Sequence, residues 1–219
     1  FNNAGQGVIV WEELTGLSIR VLWAYFDGAT LHPEAELASY AGQTAVATNG
    51  TDFMLVWNYG RIYAAPCTNG GVLGTPAAIS DWNADAPDVA SNKSGYAVAW
   101  RKYDGPTGQQ RIFANMYSAS TWATETLVDT VPGHGYYPKI ASNGSGYAIA
   151  WQKYDTVAGN HDVYGTVSSG GTGTATWQTP VLLENLSGAA LYPYVASDGN
   201  GYAVAWTQDD GSGAYSVYA

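Results

Sequence analysis

PDVASNKSGYAVAW (Pro87 to Trp100), PKIASNGSGYAIAW (Pro138 to Trp151) and PYVASDGNGYAVAW (Pro193 to Trp206) are gapless versions of one phrase. TAVATNGTDFMLVW (Thr44 to Trp57) is a fourth version. FNNAGQGVIVW, ending at Trp11, is a fifth without the opening residues. The closing tryptophans Trp11, Trp57, Trp100, Trp151 and Trp206 stand 46, 43, 51 and 55 positions apart. Self-similarity at such a period marks one supersecondary unit copied along the chain.

Each copy reads as four strands. Strand A is short, as in Lys139-Ile140-Ala141, and ends at an Asn-Gly or Asp-Gly type of turn, whose residues tolerate the positive φ of a tight hairpin. Strand B is the GYAIAW run. Strand C carries an aromatic residue and then a small one: Trp23-Ala24, Tyr63-Ala64, Phe113-Ala114, Tyr164-Gly165 and Tyr218-Ala219. Strand D is expected over Trp177 to Leu183 and, one copy earlier, Thr121 to Val128.

Short antiparallel four-stranded units at this spacing predict an all-β fold, a five-bladed β-propeller with trimmed ends, with a fragment of a larger ring as the alternative. The expected blades within a single domain are 1–43, 44–86, 87–137, 138–192 and 193–219, the first without strand A and the last without strand D. A small sheet has two apolar faces and hides both only by stacking between neighbours, with the anchor tryptophans and strand C aromatics between the sheets. The five anchors are thus expected to be structural.

Composition agrees. Charged residues make up 12% of the 219-residue chain, against about 25% in an average soluble protein, and there are 27 Gly. The net charge of −10 repels a nucleic-acid backbone with no basic stripe to offset it, so nucleic acid is excluded as a partner. No run approaches the ~18 apolar residues of a membrane span. Cys67 is the single cysteine, so neither an internal disulfide nor a cysteine metal site can form.

SGGTGTATW (Ser169 to Trp177) resembles the Asp-box of sialidase-type propellers, a turn of the form S-x-D-x-G-x-x-T-W. Ser169, Gly173, Thr176 and Trp177 match, and Gly171 stands where the aspartate belongs. The repeat phrase is also similar to repeats in large bacterial exported and surface proteins, which implies a secreted or cell-surface setting and a longer parent chain. A sialidase resemblance further implies three arginines on a substrate carboxylate. The chain has only Arg20, Arg61, Arg101 and Arg111, spread along the sequence, so sialidase activity is not expected.

A pair of loop carboxylates in unlike environments is the requirement of other propeller glycosidases. Asp104, Asp155 and Asp209 follow strand B in successive copies, which suits shared hairpin loops better than a single asymmetric active site. His32, His134 and His161 show no metal-ligand spacing. Asp209-Asp210 and Asp104-Gly105 offer oxygens to Ca2+, without EF-hand spacing; no other cofactor is suggested. Tyr103, Asp104, Tyr154, Asp155, Asp209, Trp82, Tyr136 and Tyr192 all fall in B-to-C or D-to-A loops. Aromatic rings beside carboxylates suit sugar recognition. A non-catalytic module binding glycan or protein through the loop face is therefore the expected function, with a glycoside hydrolase and a structural unit of a surface array as alternatives.

Overall fold

The computed structural model describes residues 1–173 and 175–219. No helix occurs among them. The strands form antiparallel sheets whose order follows the chain. Sheet one holds β1 (Gly7–Thr15), β2 (Ser18–Phe26) and β3 (Ala35–Ser39). Sheet two holds β4 (Gly42–Thr48), β5 (Phe53–Asn58), β6 (Ile62–Cys67) and β7 (Ala77–Ala78). Sheet three holds β8 (Ala84–Ser91), β9 (Gly95–Asp104) and β10 (Gln109–Ser118), edged by β11 (Thr121–Trp122) and β12 (Thr126–Leu127). Sheet four holds β13 (His134–Ser142), β14 (Tyr147–Asp155), β15 (Asn160–Val167) and β16 (Val181–Leu182). Sheet five holds β17 (Ala190–Ser197), β18 (Tyr202–Asp209) and β19 (Tyr215–Tyr218).

Strand B alternates in size rather than polarity. Tyr96, Val98 and Trp100 of β9 pack on Met54, Val56, Ile62 and Ala64 of the preceding sheet. Ala97 and Ala99, on the opposite face, receive Tyr147, Ile149 and Trp151 of the following sheet. Both faces of an inner sheet are thereby covered, which removes the polar-out alternation of a half-exposed strand. Trp100 and Trp151 are fully buried and Trp57 nearly so, whereas Trp11 and Trp206 on the end sheets are only half-buried. Consecutive sheets adjoin through β1–β4, β4–β8, β8–β13 and β13–β17; among the described residues, no strands of sheets one and five make comparable contact.

Sheet one departs from the anchor-to-aromatic pairing of the other sheets, and one local expectation needs correction. Leu22, not Trp23, lies opposite Trp11. Trp23 pairs with Val10 and turns with it toward Phe53 and Leu55 of sheet two. The intervening hairpin fixes this parity, and a one-residue slip moves a side chain to the other face. Strand D is far shorter than expected, two residues in β16 and in β12, because only a brief stretch at the sheet edge finds ladder partners.

Candidate functional site

The inner strand of four sheets carries the same defect. Register shifts fall between Gly42 and Ala45, Asp85 and Asp88, Tyr136 and Lys139, and Leu191 and Tyr194. Within them Gln43, Ala86, Tyr137 and Tyr192 have φ of 52°, 51°, 50° and 52°. A left-handed non-glycine residue costs on the order of 1–3 kcal/mol and persists only where its surroundings hold it. At three of the four the preceding sheet supplies the hold. Gln43 N donates to Glu12 Oε1 at 2.6 Å, Ala86 N to Gln43 Oε1 at 2.8 Å, and Tyr192 N to Gln152 Oε1 at 3.2 Å.

Glu12 and Gln152 each directly follow an anchor tryptophan, as do Asn58, Arg101 and Thr207. One such residue per sheet lies on the same face as the bulges. Glu12, Gln43, Asn58 and Asp85 line a cleft of about 540 Å³, together with Ile19 and the exposed Tyr40. Asn58 Nδ2 donates to Gln43 Oε1 at 3.0 Å. Arg101 closes the cleft toward sheet four: its Nε donates to Asp85 Oδ1 at 2.6 Å, a terminal nitrogen donates to Oδ2, and its guanidinium lies 5.3 Å from the Tyr136 ring centre.

Beyond Arg101 the face becomes aromatic. Tyr136 neighbours His134, Tyr137 and His161 at 6.2–6.4 Å between ring centres; Tyr137 meets Tyr192 at 5.5 Å, and Tyr154 meets His161 at 4.9 Å. Tyr137 and Tyr192 are about half exposed. Because Gln152 spends its oxygen on Tyr192 N, its amide nitrogen donates to His161 Nδ1 at 2.9 Å. Burial lowers the His161 pKa, which favours this neutral, accepting ring. Just past the bulge, Asp88 accepts from Ile140 N at 3.0 Å and Lys139 Nζ lies 5.5 Å over the Tyr194 ring. Burial pushes the Asp88 carboxyl up, against the pull of Lys139.

Of the residues singled out from the sequence, Tyr136, Tyr154 and Tyr192 join this array. Tyr103 is exposed on the β9–β10 hairpin, and Trp82 lies apart with Arg61 stacked 4.4 Å over its ring. The three loop aspartates close their own turns. Asp104 Oδ2 accepts from Thr107 Oγ1 at 2.6 Å, Asp155 Oδ1 from the Val157 and Ala158 amides, and Asp209 Oδ1 from the Gly211 and Gly213 amides. Those amides lower the Asp155 pKa. Among the described residues, no three or more His, Cys, Asp or Glu side chains are grouped to hold a metal. Missed in the sequence were Glu12, Gln43, Asn58, Asp85 and Gln152. Their signal was available as the residue after each anchor tryptophan and the residues leading into each strand A.

No protein-family model and no curated protein matches the chain. Solved structures do resemble it. A point mutant of NanB sialidase from Streptococcus pneumoniae superposes with a TM-score of 0.53 at 12% identity, over 88% of this chain and 32% of that one. TolB from Acinetobacter baumannii gives 0.53 at 13%, over 99% and 53%. Sucrose-6-phosphate hydrolase from Lactobacillus gasseri gives 0.50 at 11%, over 94% and 52%. The chain is a β-propeller. It spans between a third and about half of these larger chains, and likeness at such identity carries fold alone. The sheets are its blades, and the bulges, the cleft and the aromatic array lie on one face of the propeller.

Proposed function

We propose that this propeller binds carbohydrate, as a module of an exported or cell-surface protein, without cleaving it. The observation that carries the reading is the exposed Tyr137–Tyr192 pair set beside a cleft of amides and carboxylates. Ring faces stack on the C–H faces of sugars while Glu12, Asn58 and Asp85 offer hydrogen bonds to hydroxyls, the usual division of labour in a ligand site. Strained backbone at both tyrosines supports the same placement, since such strain clusters at ligand-contacting positions. The loop carboxylates first weighed for catalysis are occupied by their own turns.

Binding is tested by glycan-array screening followed by calorimetry. Tyr137→Ala and Tyr192→Ala should each weaken the best hit at least tenfold, while Tyr103→Ala leaves it unchanged. An array with no binder, or a hit indifferent to both tyrosines, overturns the reading. A hydrolase remains the second reading because Asp88 is a half-buried carboxyl whose pKa desolvation raises, the property of a general acid. Turnover of a chromogenic glycoside panel, lost in Asp88→Asn, would select it.

A further inference from the structure

A socket recurs between blades, and its last copy is open. In blade II, Ala47 and Met54 receive Tyr96 of blade III, whose hydroxyl donates to the Asp52 carbonyl at 3.0 Å. In blade III, Ala90 and Ala97 receive Tyr147 of blade IV. Both tyrosines are almost wholly buried. The repeat phrase places Ala196, Ala203 and Gly201 of blade V at the positions of Ala47, Met54 and Asp52. The local frame is preserved as well: Ser197 Oγ donates to the Gly201 carbonyl at 2.6 Å, as Thr48 Oγ1 donates to that of Asp52 at 2.9 Å.

These blade V residues line a cavity of about 420 Å³ with Ser197, Asp198 and Tyr202. Ala196 and Ala203 are exposed. On the same side Val217 is 76% exposed, whereas its counterparts Ile62, Ile112 and Val163 are fully buried. Each counterpart is fixed by the partner of the preceding strand: Asn58↔Ile62, Arg101↔Ile112, Gln152↔Val163 and Thr207↔Val217. Blade I is a poor occupant, since Gly7 stands at the tyrosine position and supplies no hydroxyl.

We propose that this open face of blade V is a docking surface for a further copy of the repeat, entering by the tyrosine that begins its strand B. The pairing continues an interface the molecule already builds twice over, a phenol buried in an apolar socket with an aliphatic and a tryptophan side chain following on alternate residues; the hydroxyl would reach the Gly201 carbonyl as that of Tyr96 reaches Asp52. Contiguous apolar surface of this kind marks an interaction site.

The probe is a synthetic peptide of the blade IV hairpin, Pro138 to Trp151, added to the full chain with alanine and valine methyl resonances observed. Saturable shifts at Ala196, Ala203 and Val217 are expected, with affinity falling at least tenfold when the peptide carries Tyr147→Ala or the chain carries Ala203→Asp. Ala203 is exposed, so this variant should fold, and an unchanged melting temperature checks that it does. Absence of saturable shifts, or shifts indifferent to both changes, overturns the proposal. Sedimentation showing self-association that Ala203→Asp abolishes also overturns it, because a second copy of this chain would then be the occupant.

Discussion

Lys153 of blade IV extends its ammonium to Asp129 at the end of blade III, with Nζ 2.6 Å from Oδ2 and both side chains essentially inaccessible to solvent. The same ammonium donates to the carbonyls of Val131 and Gly133, so all its protons are placed. One repeat later Gln208 does the equivalent, its Nε2 bonding Glu184 Oε2 and the carbonyls of Leu186 and Gly188. A buried donor two residues past the anchor tryptophan thus fastens blades IV and V each to the loop leaving the one before. Burial raises the Asp129 pKa and lowers that of Lys153. Removing one partner strands the other: Lys153→Met should cost about 3–5 kcal/mol by urea denaturation. Lys153→Met with Asp129→Leu should recover most of it. A double variant no better than the single would show the pair to be unimportant.

Cys67 packs with Phe53 and Leu55 and is fully buried. Burial pushes its thiol up to about 11. A thiol-reactive dye at pH 8 should therefore label the folded chain slowly and the unfolded chain at once. The sign for stability follows from linkage. A thiol that keeps its proton longer when folded contributes stability below the unfolded pKa, and this is lost as pH rises from about 9 to about 11. Rapid native labelling would place Cys67 elsewhere than in this cluster.

His161 predicts a pH limit on ligand binding. Its pKa is lowered by burial, so the neutral ring stands through neutral pH and accepts from Gln152. The histidine's contribution to stability is present above its unfolded pKa of 6.5 and is lost as pH falls toward the lower folded value. Protonation also turns His161 Nδ1 into a donor facing the Gln152 amide, loosening the group that holds Tyr192 N. Glycan affinity should be flat between pH 8 and 7 and fall in mild acid, and His161→Gln should flatten the profile. A profile unchanged by that substitution would remove His161 from the site.

The propeller was legible because one phrase recurs and each recurrence ends in the same tryptophan. Strand parity in blade I was not, since Leu22 and Trp23 are equally apolar and only the hairpin chooses between them. The site was legible in part. Loop residues such as Asp155 look available in sequence, yet two residues downstream lies an amide that captures the carboxylate. Tyr137 and Tyr192 meet only because bulges in two inner strands turn them together, and Gln43 or Gln152 acts through a bond to the next blade's backbone. Such contacts join residues roughly 40 positions apart and leave no local pattern.

Gly171 offers the sharpest test of how the blades are joined. Asn92 of blade III, nearly buried, donates from Nδ2 to the Gly171 carbonyl at 3.0 Å. A Cβ at Gly171 would lie 1.8 Å from that Nδ2 and 2.8 Å from the Ser145 carbonyl. Gly171→Asp, which would complete the sequence form S-x-D-x-G-x-x-T-W, should therefore destabilise by at least the roughly 1–3 kcal/mol of an overpacked site. Asn92→Ala alone loses two hydrogen bonds, the one to the Gly171 carbonyl and the one that Oδ1 accepts from Ser94 N, about 1 kcal/mol each. Together they should cost less than their sum, because removing the amide relieves the closer clash while the Ser145 carbonyl still crowds the new carboxylate. Chemical denaturation of the four proteins in the cycle measures the coupling. Strict additivity would mean that Asn92 and Gly171 do not touch, and a stabilising Gly171→Asp would mean that this turn obeys its own blade rather than its neighbour.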